Sequence, residues 1–517
     1  MTQTINKAKQ ATYLLVAFFV VLHLSLATSF GVSVDEAHYG LYALNLDWSY
    51  FDHPPMVGWL LALGRPFGLS EFVLRLIPTL IMTLNCALLY QLTSRIYRNP
   101  RVGFIAVALF QLGAITQLLG WGMVPDIPLM TWNLLIANLL ISLRDEFHWQ
   151  MWLLFGFFVG LTGLTKYTAI AIPISIFIWL LWERQLITWL RQPPLWLSII
   201  IALIMILPVL LWNHWNQWIS FDYQFNHGTA GDWQWKNVGK MQIVQFAAYS
   251  PLLFILAISF ILTKIFGNKE SNKSPTRYSG NKQKKASHSI SGERYLLCGA
   301  LVNLAIVAWS SGNGELLPHW ASIGWLLFTP LAAYQLQRSW GSIGGKIWIS
   351  MVGLLSIVLV SLVFILLAIK PVKSIPGSKD ALMDLVGWEA AAHRAEALAN
   401  QHNAPYLWVA NWADASRIAW YTHPSIIQVA DNKMNQFEVW NGYPQGTNRA
   451  ILTLPKRIKD ERTPTQRITP VEQNQCTLID ELPYSIEGIE VNVFWYYLCQ
   501  PLTLDDSVSK PETTLLP

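Results

Sequence analysis

Carboxylate and imidazole side chains are concentrated in residues 33–60, which read SVDEAHYGLYALNLDWSYFDHPPMVGWL. This segment directly follows an apolar run at residues 11–30 that is long enough to cross a bilayer. Acid–base catalysis and metal binding both use side chains of these types. A charged group at the end of a membrane span is costly to desolvate, so the segment is a candidate functional site. Its ionisable residues are Asp35, Glu36, His38, Asp47, Asp52 and His53.

Ordinary structural roles are the alternative for these residues. Ser33 or Asp35 could cap a helix that begins near Glu36, with acidic groups well placed in its first turn. That role is compatible with a catalytic one. Asp52 and His53 stand before two prolines that can begin the next helix, so an ordinary turn is the alternative there.

Further ionisable residues lie near the ends of later apolar segments. Asp126 lies between two prolines in GWGMVPDIPLM, where helix capping is the alternative. Lys166, in GLTGLTKYTAI, can either extend to the lipid headgroups or offer its ammonium to a phosphate. The remaining candidates are His214, His227, Glu315 and His319, the last followed by Trp320.

The composition excludes an ordinary soluble protein. Of the 517 residues, 53% are hydrophobic and only 13% are charged, and there are 26 tryptophans. The chain is therefore predicted to be a polytopic α-helical membrane protein. Apolar runs of about 17 to 23 residues predict about 11 membrane spans. They lie near residues 11–30, 73–94, 102–119, 127–143, 150–164, 167–182, 195–212, 243–263, 295–309, 321–337 and 347–369.

Basic residues orient the predicted spans. Lys and Arg precede the first span, follow the second and the sixth, and are frequent in residues 264–294, which carry eight Lys or Arg against two Glu. The positive-inside rule makes these segments cytoplasmic and predicts a flexible cytoplasmic linker at 264–294. The external side then receives most of the unexpected polar residues. Its segments are 31–72, 120–126, the turn around Lys166, 213–240 and 310–320.

The composition changes beyond residue 370, which divides the chain into a membrane domain at 1–369 and an external domain at 370–517. Helix-like stretches at 389–402 and 414–421 alternate with strand-like stretches such as YLWVAN, AILTL and VNVFWYYL, which predicts a small α/β domain. Cys476 and Cys499 lie in this tail and either form a disulfide or remain buried thiols.

The run DEAHYGLYALNLDWSYFDHPPMVGWLLALGRPFGLSEFVLRLIPTL resembles the first external loop and second span of GT-C type glycosyltransferases, in the branch of bacterial aminoarabinose transferase and the protein O-mannosyltransferases. The stretches VPDIPLMTW, GLTKYTAI, WNHWNQWISFDYQF and ELLPHWASIGW resemble later blocks of that family, in the same order. The resemblance implies a GT-C fold and an inverting transfer of a sugar from a polyprenyl phosphate carrier. The acceptor would be a lipid, glycan or protein on the periplasmic side of the cell membrane, with no nucleic acid partner.

The resemblance also implies roles for individual residues. Asp35 would be the catalytic carboxylate that accepts the proton of the acceptor hydroxyl, and Glu36 would support its position. The departing lipid phosphate gathers negative charge, so cations are needed beside it. Lys166, His53 and Arg75 are the candidates for that task. Additional site candidates are Asp126, Glu315 and His319.

A divalent metal is a further expectation. Asp52 with His214 or His227 could bind zinc, manganese or magnesium, since carboxylate and imidazole ligands suit such ions. The sequence departs from the aminoarabinose enzymes at His53, where they carry lysine. This difference argues against aminoarabinose as the donor sugar.

The alternative function is a transporter or flippase of lipid-linked sugars. Transporters usually carry ionisable residues near the middle of the membrane, in broken helices and in paired halves. Here the charges lie in loops at the ends of spans, and no two halves of the sequence correspond. The sequence therefore favours the transferase.

Overall fold

The computed structural model describes residues 2–143, 148–229, 231–266, 280–314, 317–372, 378–431, 433–444, 448–456 and 476–500. The chain divides into two compact units, Met1–Phe30 with Tyr39–Pro371, and Gly31–His38 with Val372–Pro517. The second unit thus contains a short segment of the predicted first external loop as well as the C-terminal region.

The described part of the first unit is helical, because helices satisfy their own backbone hydrogen bonds within a membrane. The helices begin with α1 (Thr2–Ser25), α2 (Val34–Leu44), α3 (Met56–Ala62), α4 (Glu71–Tyr97), α5 (Pro100–Gln111), α6 (Ala114–Leu119), α7 (Asp126–Leu143), α8 (Trp149–Gly163) and α9 (Ala171–Trp182). They continue with α10 (Leu186–Leu190), α11 (Pro193–Trp215), α12 (Ile219–Thr229), α13 (Trp235–Ala248), α14 (Pro251–Phe266), α15 (Gly280–Gly312), α16 (Ser322–Ser339) and α17 (Ile343–Ile369). Short 3-10 turns lie at Arg65–Phe67, Tyr167–Ile170 and Pro318–Ala321.

The polytopic helical class predicted from hydropathy is confirmed. Six helices of the described ranges are long and apolar enough to cross a membrane, and α13 with α14 would make a seventh if the pair is one span. Shorter apolar helices lie at Pro100–Gln111, Trp149–Gly163 and Tyr167–Trp182. The predicted total of about 11 spans therefore stays a prediction.

Two predicted spans are each divided into two helices. The span expected at 243–263 comprises α13 and α14, which meet at an angle of 114°. Ser250 at the break has a φ of 86°, in the left-handed region, and its hydroxyl bonds the Ser356 hydroxyl at 3.0 Å. Pro251 then begins α14, since proline suits the first position of a helix. The span expected at 102–119 comprises α5 and α6, which are interrupted at residues 112–113.

The predicted flexible linker at 264–294 is also partly wrong. Residues 267–279 lie outside the described ranges, but α15 already begins at Gly280. Lys264 pairs with Glu293 at 2.7 Å, and Arg294 pairs with Glu183 at 2.9 Å. These ion pairs attach the N-terminal half of α15 to the ends of neighbouring helices.

The second unit is a small α/β domain, as predicted. Its five-stranded sheet has the strand order β2-β1-β3-β5-β4, with β1 parallel to β2 and β3 and with β5 antiparallel to β3 and β4. Its elements are α18 (Ser378–Met383), α19 (Trp388–Gln401), β1 (Tyr406–Val409), α20 (Trp412–Thr422), β2 (Ile426–Val429), α21 (Gln436–Asn441), β3 (Ala450–Pro455), β4 (Cys476–Ile486) and β5 (Ile489–Cys499).

A disulfide joins the two C-terminal strands. Cys476 and Cys499 are bonded to each other and are partners in the β4–β5 register. This settles the choice that the sequence left open for these cysteines. Cys86 and Cys298, in the helical unit, are buried free thiols.

Candidate functional site

Ionisable side chains from three separate parts of the first unit meet at the start of α7. Asp126, the first residue of α7, is 1% exposed, and Lys166 is 5% exposed. The Lys166 ammonium donates to both Asp126 carboxylate oxygens, at 3.0 and 2.8 Å. His319 Nε2 lies 3.7 Å from Asp126 Oδ2, and Lys166 Nζ lies 5.3 Å from the centre of the Trp320 ring. The fold therefore brings together residues that the sequence placed only in separate segments on the same predicted side of the membrane.

The chemistry of this cluster follows from its donors. A buried ion pair is retained at a substantial desolvation cost, which makes it a functional candidate in a membrane protein. An ammonium carries three N–H donors, and the two bonds to Asp126 account for two of them. The third donor can bind an oxygen of a phosphate.

Glu315, the candidate that precedes His319 in the sequence, lies outside the described residues.

Asp52 is held by a buried tyrosine. The Tyr42 hydroxyl donates to Asp52 Oδ1, and His53 Nε2 lies 3.8 Å from Asp52 Oδ2. Tyr42 is stacked on Tyr50 with 3.6 Å between ring centres. Burial, together with the Asp52 charge, raises the pKa of the Tyr42 phenol well above its usual value. Tyr42 is therefore a neutral donor that fixes the carboxylate.

The loop that carries Asp52 is tied to α11 and α12. The Trp212 indole donates to Asp47 Oδ2 at 2.8 Å, and the Gln224 amide donates to the Asp52 carbonyl at 2.6 Å. The Ser220 hydroxyl also donates to the Tyr50 carbonyl. The Met56 N–H donates to the Leu164 carbonyl, and this bond joins the start of α3 to the turn that contains Lys166.

Asp35 and Glu36 lie in the first turn of α2, in the part that belongs to the second unit. Ser33 and Glu36 form a capping box: Ser33 Oγ accepts from the Glu36 N–H at 3.3 Å, and Glu36 Oε2 accepts from the Ser33 N–H at 2.9 Å. Of the two caps that the sequence offered, Ser33 and Asp35, the structure thus shows Ser33. Asp35 is half-buried whereas Glu36 is buried, so Asp35 is the more accessible carboxylate. Their catalytic roles stay predictions.

The Arg75 side chain is buried and bonded to backbone carbonyls of the chain after α1. Its side chain is fully buried, and Nη1 donates to the carbonyls of Ala27 and Phe30 at 2.6 and 2.9 Å. The guanidinium also lies 4.0 Å from the centre of the Phe30 ring and 3.9 Å from a Glu71 oxygen. Arg75 therefore fixes the chain just after α1, and its predicted contact with the donor phosphate stays a prediction.

The predicted metal site is not assembled from the described side chains. His214 is exposed and lies 6.2 Å from the Trp218 ring, measured between ring centres. His227 belongs to α12, but its side chain is outside the described set. Across the described part of the chain, no group of three or more His, Cys, Asp or Glu side chains could hold a metal ion. The metal site therefore stays a prediction.

Two tyrosines near these residues were missed in the sequence. Tyr42 contacts Asp52, and the Tyr167 hydroxyl lies 3.4 Å from Ser49 Oγ and accepts from Asn213 Nδ2 at 3.3 Å. Tyr167 directly follows Lys166, and Tyr42 is in the helix predicted after Asp35. Attention to the neighbours of the ionisable residues would have identified both.

The fold is similar to that of solved membrane transferase structures. Over 94% of this chain and 97% of the other, it matches the crystal structure of ArnT from Cupriavidus metallidurans bound to undecaprenyl phosphate, with a TM-score of 0.59 and 14% identity. The apo structure of the same protein matches with a TM-score of 0.57 over 95% of this chain and 98% of the other, also at 14% identity. The GT-C fold expected from the sequence is confirmed.

Sequence comparisons support the same class. Residues 52–212 match the family model described as dolichyl-phosphate-mannose-protein mannosyltransferase. The chain is 31% identical over 185 residues to undecaprenyl phosphate-α-4-amino-4-deoxy-L-arabinose arabinosyl transferase of Pseudomonas savastanoi, covering 34% of each chain. It is 22% identical over 375 residues to lipid A galacturonosyltransferase RgtD of Rhizobium johnstonii, covering 71% of this chain and 73% of that protein. The match thus spans about a third of the arabinosyl transferase. Together these findings show that the chain is similar to membrane glycosyltransferases and has their fold.

Proposed function

We propose that this chain is an integral-membrane, inverting glycosyltransferase that moves a sugar from a polyprenyl phosphate to an acceptor on the outer side of the membrane. The buried group of Asp126, Lys166 and His319 carries the proposal, because it offers a fixed ammonium at the ends of apolar segments. The name of one relative, the undecaprenyl phosphate arabinosyl transferase, favours a polyprenyl phosphate donor. The name of the other, lipid A galacturonosyltransferase, favours a lipid as the acceptor over a glycan or a protein.

The proposed reaction assigns one task to each residue. The Asp35 carboxylate accepts the proton of the acceptor hydroxyl while that oxygen bonds to the anomeric carbon. The bond from the anomeric carbon to the phosphate oxygen breaks, and polyprenyl phosphate leaves. Positive character develops on the sugar ring and negative charge on the phosphate. Lys166 and His53 stabilise that negative charge, and Glu36 keeps the first turn of α2 in place.

A divalent cation at Asp52 remains part of the proposal, with His214 or His227 as imidazole ligands. When bound, such an ion supplies positive charge near a leaving phosphate. Metal analysis of the purified protein and of an Asp52→Ala variant, which removes the ligand common to both alternatives, tests this point. Metal that is bound by the wild type and lost from the variant supports it, and equal metal contents contradict it.

Two observations support an external location for the second unit and the site. Basic residues lie in the last turns of three helices: Arg95 in α4, Lys264 in α14 and Arg338 in α16. Arg294 lies in the N-terminal half of α15. By the positive-inside rule, these helix ends suit the cytoplasmic side of the membrane. The disulfide between Cys476 and Cys499 suits an oxidising compartment.

The transporter alternative rests on one observation, the 114° break between α13 and α14, since broken helices occur in transporters. A reconstituted assay separates the two functions. We expect the sugar of a radiolabelled polyprenyl phosphate sugar to appear on a lipid acceptor. Movement of intact labelled donor between leaflets without sugar transfer would support the transporter instead. Mass spectrometry of glycolipids in cells lacking the protein then identifies the sugar.

A further inference from the structure

The residues that precede Asp35 are bonded to the C-terminal domain. Gly31 N–H donates to the Leu385 carbonyl at 3.1 Å, and Val32 N–H donates to the Tyr421 hydroxyl oxygen at 3.2 Å. Val32 is buried, at 1% exposure. The contact at Gly31 is too close for any side chain, because a Cβ there would lie 2.5 Å from the Leu385 oxygen.

His38, the last residue of the segment Gly31–His38, is bonded to the same domain. His38 Nδ1 lies 3.0 Å from Ser416 Oγ, and both side chains are buried. Ser416 Oγ also donates to the Trp412 carbonyl at 2.8 Å, and it accepts from His38 in the tautomer that carries the hydrogen on Nδ1. The His38 ring also packs against Trp412 and Phe437, with 5.1 and 6.3 Å between ring centres.

We propose that the C-terminal domain positions the catalytic carboxylate, with Tyr421 and Ser416 as positioning residues on either side of Asp35. This inference rests on the proposed function of Asp35 as the base. The domain bonds the chain before Asp35 through Tyr421 and after it through Ser416, while Asp35 itself stays half-buried and accessible. The domain is then part of the transferase machinery.

The physical reason is the precision that proton transfer requires. A general base must lie within hydrogen-bond reach of the proton that it accepts. The capping box fixes the direction of the first turn of α2, but a helix end still moves with the chain that precedes it. A displacement of about 1 Å can lower a rate by about a hundredfold. Hydrogen bonds at Val32 and His38 restrict that displacement.

Two variants of the full-length protein test the proposal. Tyr421→Phe removes the acceptor of the Val32 N–H, and Gly31→Ala places a methyl group against the Leu385 carbonyl without changing the C-terminal domain. We expect kcat for sugar transfer to fall at least about tenfold in both, with the KM for the donor unchanged. Ser416→Ala should act likewise, and Ser416→Thr, which keeps the hydroxyl, should restore kcat.

Matched controls separate positioning from general destabilisation. Ser425→Ala removes a hydroxyl of the same domain that bonds Glu396, and Gly344→Ala adds a methyl group where no atom lies within 4 Å. Both should keep the wild-type kcat. Wild-type kcat in Tyr421→Phe and Gly31→Ala would overturn the proposal and leave the transferase function intact.

Hydrogen exchange tests the positioning independently of activity. In the wild type, the amides of Gly31 and Val32 should exchange slowly, and Tyr421→Phe should accelerate exchange in residues 31–38 at least about tenfold. Unchanged exchange would overturn the proposed role of Tyr421 even if the protein proves to have another activity. A wild type that transfers no sugar would contradict the proposed function instead.

Discussion

Lys166 donates two hydrogen bonds to the Asp126 carboxylate inside the helical unit, where both side chains are almost fully buried. The bonds join the start of α7 to the turn after α8, and His319 approaches the same carboxylate from the 3-10 turn before α16. This pair therefore has a structural task in addition to the proposed binding of the donor phosphate. The two tasks can be separated by mutation.

Removal of one partner of this pair should be strongly destabilising. Asp126→Ala leaves a buried ammonium without its carboxylate, and we expect the free energy of unfolding to fall by about 3–5 kcal/mol. The double variant Asp126→Leu with Lys166→Met should recover most of that stability but show no transfer. Thermal unfolding in detergent and the transfer assay provide the two measurements.

The half-exposed Lys264, which pairs with Glu293, provides the control for that experiment. Lys264 is about half exposed, so Lys264→Ala should change the stability by less than about 1 kcal/mol. Donor binding should also be unaffected by this change. If Asp126→Ala were no more destabilising than Lys264→Ala, the buried pair would have no special structural importance.

Asp35→Asn should abolish sugar transfer, because the amide cannot accept the proton of the acceptor hydroxyl. Protein level and donor affinity should persist, since the change preserves shape. Transfer from a radiolabelled polyprenyl phosphate sugar and equilibrium donor binding are the measurements. Asp222→Asn, at an exposed acid on α12 that bonds Asn226, should retain activity. Transfer by Asp35→Asn would remove Asp35 from the role of base.

Tyr42→Phe tests the fixation of Asp52. The variant keeps the ring stacked on Tyr50 but removes the donor to the carboxylate. We expect a loss of about 1.5–3 kcal/mol of stability, since the bond goes to a charged group, and a lower kcat. The stability is measured by chemical unfolding and the rate by the transfer assay. A kcat equal to that of the wild type would show that the Asp52 orientation is unimportant for transfer.

Thiol labelling tests the orientation and the disulfide together. Cys86 and Cys298 are buried and Cys476 is bonded to Cys499, so a membrane-impermeant maleimide should label no thiol in intact cells before reduction. After mild reduction it should add two labels. Labels that appear only after the membrane is permeabilised would place the second unit in the cytoplasm. The Cys476→Ser variant, which leaves Cys499 as a single thiol, provides the reference for one label.

The same disulfide should stabilise the second unit. It closes a loop with a sequence separation of 23, for which the chain-entropy estimate is about 3 kcal/mol. A double Cys476→Ser and Cys499→Ser variant should therefore unfold its C-terminal domain at lower denaturant concentration. An unchanged unfolding midpoint would contradict this estimate.

The amino-acid sequence by itself determined the features that depend on neighbouring residues. Long apolar runs predicted the helical membrane class, and the alternation after residue 370 predicted an α/β domain. The helix cap at Ser33 is also local, and it was one of the two caps that the sequence offered. Hydropathy did not reveal the break at Ser250, because a positive φ is not encoded in apolar character. Strand β4 was also missed, since at the edge of the sheet its exposed polar residues resemble those of a loop.

Only the tertiary structure decided which polar residues meet. Asp126, Lys166 and His319 are separated by long stretches of sequence, and their contact depends on how the helices that carry them pack. Likewise, residues 31–38 follow a membrane span in the sequence, yet they bond residues of the C-terminal domain. The physical reason is the same in both cases: long-range hydrogen bonds and ion pairs form between groups whose proximity no local pattern of hydropathy or spacing specifies.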